Sequence, residues 1–253
     1  FLHYLQRQHC GPGPEVVDAT TCLHGSMDQP TVFQPIGGTH RVHFTPSSRY
    51  GMLRIGLVML QGARHSHIAA LMDASRKAGI EIEINELRKA SDLIESEPHA
   101  VVITGGESTT MRLTGNDPAS SLLPALFDWI RSDDSRAVLG TCAGAILLAE
   151  PKDGGGPLID AEIDRNAFGT QYDSFQATLD ALELGREFPG VFIRAPRFTR
   201  AGPDAIVAAT MDEEIVGVRT ANRLALTFHP ELSPDSGFHV WLLETAKSVE
   251  AGV

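Results

Sequence analysis

Ala137-Val-Leu-Gly-Thr-Cys-Ala-Gly-Ala-Ile-Leu-Leu-Ala149 is the stretch from which the fold can be read. A short apolar run reaches Gly140-Thr141, a thiol stands at Cys142, and small helix-forming apolar residues follow. That order spells a strand, a sharp turn and a helix. Gly140 and Gly144 flank the cysteine as G-x-C-x-G, the thiol version of a nucleophile elbow, where small flanks permit the tight turn. Such a turn exposes the side chain, and the helix N-terminus behind it favours a thiolate. The competing reading is a core cysteine buried at a strand end.

Working outward, strands and helices alternate. Ile55-Gly-Leu-Val-Met-Leu60 has the continuous apolar character of a strand buried on both faces. Gln61-Gly62 turns the chain into a helix over Ala63 to Ala78, with Ile68, Leu71 and Met72 as its apolar stripe and Gly79 as its stop. Ile80 to Ile84 alternates, as a half-exposed strand near a sheet edge should. Asp92 to Ser96 reads as a short helical turn, Ala100 to Thr104 as a buried strand, and Ser120 to Ser132 as a helix. This βαβ spacing predicts a largely parallel, doubly wound sheet with right-handed connections. Ligands bind such sheets at the carboxyl ends of strands, where Gln61-Gly62, Gly105-Gly106 and Cys142 all fall. Downstream, strands are expected at Leu158 to Ile163, Phe175 to Leu179, Val191 to Arg194 and Ala205 to Ala209. A hairpin pairs Glu214 to Arg219 with Leu224 to Phe228, and a helix from Gly237 to Ala251 closes the chain.

Of 253 residues, 42% are hydrophobic and 21% charged, the composition of an ordinary globular protein with a sizeable core. A net charge of -11 without a basic cluster argues against nucleic acid or anionic membrane as main partners. No apolar run is long enough to span a bilayer, and no signal-peptide pattern opens the sequence. Three cysteines cannot all pair with one another, which suits a reducing, cytoplasmic setting. Residues 1–51 hold Cys10 and Cys22 and half of the ten histidines, but sustain neither helical nor strand period. They are expected to be an unstructured or non-native extension ahead of a domain over residues 52–253. A metal site from His9, Cys10, Cys22 and His24 is the sharper alternative, but their spacing matches no zinc pattern.

A cysteine nucleophile needs a base, and the base an orienting group. Thr227-Phe-His-Pro-Glu-Leu232 offers both: in an extended segment His229 and Glu231 project to the same side. Pro230 between them disfavours helix at His229. Gly105-Gly106-Glu107-Ser108 follows a buried strand and can bring backbone N–H groups close to a ligand, although Gly-Gly also serves as a plain turn.

Together G-T-C-A-G, G-G-E-S-T-T and F-H-P-E-L resemble a class I, triad-type glutamine amidotransferase with a flavodoxin-like sheet. Leu60-Gln-Gly-Ala63, Arg165-Asn-Ala-Phe-Gly169, Asp173-Ser-Phe175 and Val191-Phe-Ile-Arg-Ala-Pro196 narrow the resemblance to the glutaminase subunit family of pyridoxal 5'-phosphate synthase, over about Met52 to Val253. The resemblance implies hydrolysis of L-glutamine to L-glutamate and ammonia, with Cys142 forming a thioester, His229 moving the proton and Glu231 orienting it. It assigns glutamine binding to Gly106, Glu107, Ser108, Arg165, Ile193 and Arg194. Oxyanion donors fall to the N–H groups of Ala143 and of Gly105 or Gly106, and Gln61 lies toward the synthase-facing side. No metal or cofactor is implied; the partner is a (β/α)8-barrel synthase subunit that receives the ammonia and builds pyridoxal 5'-phosphate. Thr104, Thr170 and Gln176 depart from the family pattern, where proline, arginine and glutamate are usual. A glutaminase serving another synthase, or a catalytically dead regulatory subunit, are the rival readings.

Overall fold

The computed structural model describes residues 39–42, 51–165 and 174–252. The first half runs β1 (Thr39–Val42), β2 (Leu53–Val58), α1 (Arg64–Ala78), β3 (Ile82–Leu87), α2 (Ala90–Ser96), β4 (Ala100–Ile103), α3 (Ser108–Gly115), α4 (Leu122–Arg131), β5 (Ala137–Thr141) and α5 (Ala143–Ala149). The second half is β6 (Ala161–Asp164), β7 (Ser174–Ala181), β8 (Arg186–Ile193), β9 (Arg197–Ala201), β10 (Ile206–Met211), β11 (Glu214–Thr220), β12 (Arg223–Leu226) and α6 (Gly237–Glu250).

Continuous apolar strands form the middle of the sheet because both of their faces are covered. β3, β2, β4, β5 and β12 lie side by side and all pair parallel. Alternate residues feed two separate cores. Ala100 and Val102 of β4, with Ala137 and Leu139 of β5, pack toward Leu71 of α1 and Leu242 of α6. Val101, Ile103 and Val138 turn to the other side, onto Leu126 and Phe127 of α4 and Leu147 of α5. Each of the larger side chains here (Val, Leu, Ile and Phe) contributes about 1.5–3 kcal/mol on burial. The doubly wound expectation holds for this centre.

Beyond β12 the sheet changes character. β11, β10, β7 and β8 continue it antiparallel, and β9 joins β11 while β6 pairs β9. The β11–β12 hairpin forms as expected, with Thr220 opposite Arg223. Phe188, Phe192, Phe228 and Phe238, all fully buried, meet edge-on or tilted where β8, the end of β12 and α6 converge. Tilted aromatic pairs of this kind are favoured by the ring quadrupole.

Several boundaries differ from the sequence reading. β3 starts at Ile82 rather than Ile80 and continues to Leu87, and the strand expected over Leu158 to Ile163 is instead Ala161–Asp164. Leu158 and Ile159 are buried instead in the core under α5. α3 and β9 were not anticipated, since neither carries a clear apolar period. Thr39–Val42 falls in the stretch expected to lack structure but pairs antiparallel with β3, satisfying backbone groups that an edge strand leaves open. The remainder of residues 1–50, with the Cys10, Cys22, His9 and His24 alternative, lies outside the described residues. So does Thr170, with most of the Arg165–Gly169 motif. Among the described residues no helix is long and apolar enough to cross a membrane.

Candidate active site

The elbow is built by close packing of strand against helix. A Cβ at Gly144 would sit 2.2 Å from the carbonyl oxygen of Ile103, and one at Gly140 would sit 3.0 Å from the backbone of Gly144. At Gly144 a side chain would meet backbone outright, and at Gly140 Leu148 and the Gly144 backbone would have to give way. Cys142 itself takes φ 50°, ψ -108°, a region costly for any side chain-bearing residue and found where function holds strain in place. Its N–H donates to the carbonyl of Leu226 at 2.8 Å, so the elbow is fastened to the end of β12. Its Sγ lies 3.9 Å from the carbonyl oxygen of Ile193.

The partner residues arrive from beyond β12. The His229 N–H donates to the carbonyl of Val191 on β8 at 2.8 Å, which fixes the backbone from which the imidazole reaches Cys142. The segment after it is not extended. Pro230–Leu232 forms a single 3-10 turn with proline in its first positions, where the missing N–H costs nothing. Curling brings Glu231 back under the ring, and Glu231 Oε1 stands 2.7 Å from His229 Nδ1. The pairing expected from sequence is present, through a different backbone geometry.

Burial opposes a charge on His229, but hydrogen bonds and electrostatic attraction from Cys142 and Glu231 outweigh it, lifting its pKa to about 10. Burial likewise opposes ionisation of Glu231, and the bond from His229 with the neighbouring charges holds its carboxyl below the usual range. At neutral pH the site therefore carries an imidazolium between a sulfur and a buried carboxylate.

These groups open on a cavity of about 390 Å³. Of the residues singled out from sequence, Cys142, His229, Gly105, Gly106, Glu107, Ser108, Arg165, Ile193 and Arg194 line it. Glu231, Ala143 and Gln61 do not. Glu231 is shielded behind His229, with only 1% of its side chain exposed. Gln61 sits behind the glycine loop, where its Oε1 accepts the N–H of Glu107 at 2.7 Å. A Cβ at Gly105 would strike the His229 ring at 2.7 Å, so glycine here is what lets the imidazole approach the loop.

Glu107, at the edge of the cavity, also has a task in the fold. Its carboxylate caps α3, accepting the N–H groups of Thr109 and Thr110 and the hydroxyl of Thr110. Those bonds hold its pKa down at about 2. Arg165 crosses the cavity mouth and donates to the hydroxyls of Ser108 at 2.5 Å and Thr109 at 3.1 Å, with Glu107 3.6 Å away. Thr104, where the resemblance leads one to expect proline, is fully buried and directs its hydroxyl at the carbonyls of Val58 and Gln61. It ties the first turn to the second, a bond proline cannot make.

The sequence reading missed His67. It lies fully buried on α1, with Nε2 3.4 Å from Glu231 Oε1 and Nδ1 3.3 Å from Nε2 of the equally buried His239 on α6. Among the described residues no cluster of side chains could hold a metal ion, and Cys142 is the free cysteine.

Residues 57–248 match the SNO glutamine amidotransferase family. The chain is 38% identical over 197 residues to the pyridoxal 5'-phosphate synthase subunit PdxT of Methanothermobacter thermautotrophicus, covering 76% of this chain and 96% of that one. It is 39% identical over 200 residues to the protein of the same name from Oenococcus oeni, covering 77% and 97%. A crystal structure of a glutamine amidotransferase superposes with a TM-score of 0.64 at 36% identity, over 76% of this chain and 98% of the other. A putative GMP synthase component from Thermoplasma acidophilum, at 17% identity and a TM-score of 0.56, over 80% of this chain and 98% of the other, shares the fold.

Proposed function

The chain belongs to the SNO glutamine amidotransferase family, and on that premise we propose that it hydrolyses L-glutamine to L-glutamate and ammonia through Cys142, His229 and Glu231. Cys142 Sγ attacks the side-chain carboxamide carbon. The tetrahedral intermediate collapses as the C–N bond breaks, His229 protonates the departing nitrogen, and a γ-glutamyl thioester remains. Water then attacks the thioester with His229 accepting its proton, releasing glutamate and the thiolate. Glu231 holds the ring in one orientation throughout and stabilises its positive form.

Glycine loop and elbow supply the oxyanion pocket in this reading, with the N–H of Ala143 and of Gly105 or Gly106 as donors. Glutamine is a zwitterion, so its α-carboxylate wants guanidinium or N–H partners and its ammonium wants acceptors. Arg165, Arg194, Ser108 and the backbone of Gly106 and Ile193 surround the space it would fill. Glu107 contributes by shaping the loop through its cap, rather than by offering a free carboxylate.

The relatives' name carries the destination of the ammonia. The product passes to a synthase subunit that makes pyridoxal 5'-phosphate, docked on the side of the sheet where Gln61 lies. The observation that carries the proposal is the sulfur–imidazole–carboxylate line ending at a cavity floored by Gly105 and Gly106. Co-purification with that synthase subunit, followed by glutamate and ammonia assays with and without it, is the test. Glutamine hydrolysis that rises when the synthase is added and vanishes in Cys142→Ala is expected. Hydrolysis that survives Cys142→Ala refutes the nucleophile, and a glutaminase indifferent to the synthase refutes the partner.

A further inference from the structure

Behind Glu231 the molecule buries two further imidazoles. His67 and His239 are both 0% exposed, and they come from α1 and α6, helices distant in sequence. Their rings tilt at 58° with centroids 5.6 Å apart, which leaves one nitrogen of each facing the other at 3.3 Å. The second nitrogen of His67 faces the carboxylate oxygen that already holds His229. Two imidazoles thus converge on Glu231 Oε1, one from the cavity side and one from the core.

We propose that His67 is a positioning residue for the reaction, an N–H donor that holds the Glu231 carboxylate toward His229, with His239 fixing its tautomer. This rests on Cys142, His229 and Glu231 being the working triad. Counting donors and acceptors makes the arrangement specific. A carboxylate offers only acceptors, so His67 must present Nε2–H to it. A neutral His67 then has a lone pair at Nδ1, which can only be satisfied by Nε2–H of His239. In that assignment the donors run in one order, His239 to His67 and His67 to Glu231. Burial lowers the proton affinity of both rings, His239 to about 3, against which the attraction of Glu231 is the smaller effect. Both are therefore neutral, and the groups facing them are Glu231, His229 and one another.

The His67–Glu231 contact is longer than the 2.7 Å bond on the other side, and Nε2 has no aligned partner among the described residues. Glu231 Oε2 also lacks one. A buried carboxylate with a single aligned donor can swing away from it, and a second N–H dipole at low dielectric narrows that freedom. Catalytic contacts are often loose before substrate binds and tighten with it.

The wild-type chain can be interrogated first. Imidazole nitrogen chemical shifts should show His67 neutral with Nε2 protonated and Nδ1 bare; the opposite tautomer, or a His67 that titrates near neutrality, overturns the proposal. Kinetics supply the second arm, in the complex with the synthase subunit. His67→Leu should lower kcat roughly tenfold, the scale of a lost bond to a charged group, and move the alkaline limb of kcat/KM down by about one unit. KM should stay within about twofold because His67 does not line the cavity. His67→Gln, which keeps a donor and an acceptor, should recover most of kcat and the limb. Unchanged kinetics in His67→Leu, or a loss that His67→Gln does not repair, overturns the inference. A Cys142→Ala protein that remains active marks instead a failure of the triad itself.

Discussion

Replacing Glu231 by glutamine removes one charge and almost no volume, so it isolates what the carboxylate does for His229. In the folded protein the imidazole is lifted from 6.5 to about 10, against burial, by Cys142 and Glu231 together. That rise from 6.5 to about 10 corresponds to about 5 kcal/mol at 1.36 kcal/mol per unit. Dividing this equally between the two partners assigns the carboxylate about 2–3 kcal/mol, the range of a hydrogen bond to a charged group. The alkaline limb of kcat/KM should then fall by about 2 units in Glu231→Gln.

Stability follows with a definite sign. The folded pKa of His229 is raised, so its contribution is complete below 6.5 and lost as pH climbs toward 10. That of Glu231 is depressed, so its contribution is present above about 4.5 and lost in acid. The stability gap between wild type and Glu231→Gln should be widest near pH 5 to 6.5 and close at both extremes. Activity should drop at least about a hundredfold, because a carboxamide can turn its NH2 toward Nδ1 and favour the wrong tautomer. The assays are glutamine-dependent glutamate release from pH 6 to 10 and denaturant melts from about pH 3 to 10. An alkaline limb that stays in place, with the pH dependence of stability unaltered, would falsify the coupling between these two residues.

Gly144→Ala should cost about 1–3 kcal/mol through overpacking, because the new Cβ meets the Ile103 carbonyl and neither backbone can yield cheaply. A thermal melt and a turnover assay check it, and an unchanged melting temperature removes the packing account of the elbow. Cys142→Gly should be more stable than Cys142→Ala by about 1 kcal/mol, since glycine alone relaxes at φ 50°, ψ -108°; equal denaturation midpoints would mean that no strain is stored there. Arg165→Lys keeps the charge but loses the fork that reaches Ser108 and Thr109, so KM for glutamine should rise about tenfold while kcat changes less. A KM that does not move takes Arg165 out of the binding site.

Sequence and structure agree best where one local property decides the outcome. β2, β4 and β5 read as strands because they are apolar on both faces, and the elbow read as an elbow because two glycines bracket a thiol. Residues separated by long stretches of chain were harder. His67 sits beside the apolar stripe of α1, where a histidine looks like a boundary residue, and its meaning depends on His239 and Glu231 from the other end of the chain. α3 has no strong stripe; it starts because Glu107 caps it, and a cap by a glutamate inside a Gly-Gly-Glu-Ser turn carries no apolar period to announce the helix. The His229–Glu231 pair was anticipated with the wrong backbone, since a proline that disfavours helix before it can also open a 3-10 turn after it. β9 alternates weakly and carries two arginines, so nothing local marks it as sheet.

The pairing of β5 with β12 has a consequence for how the protein becomes active. Val138 lies opposite Arg223 and Thr141 opposite Leu226, so the strand bearing the thiol and the strand leading to its base are neighbours in space and far apart along the chain. Closing so long a loop into a parallel register is slow, because its entropy is lost before any contact is gained. During synthesis the ribosome releases Cys142 well before His229 exists to meet it. Until β12 docks beside β5 nothing brings His229 to Cys142, so the proposed nucleophile and its proposed base meet only as the parallel sheet is completed.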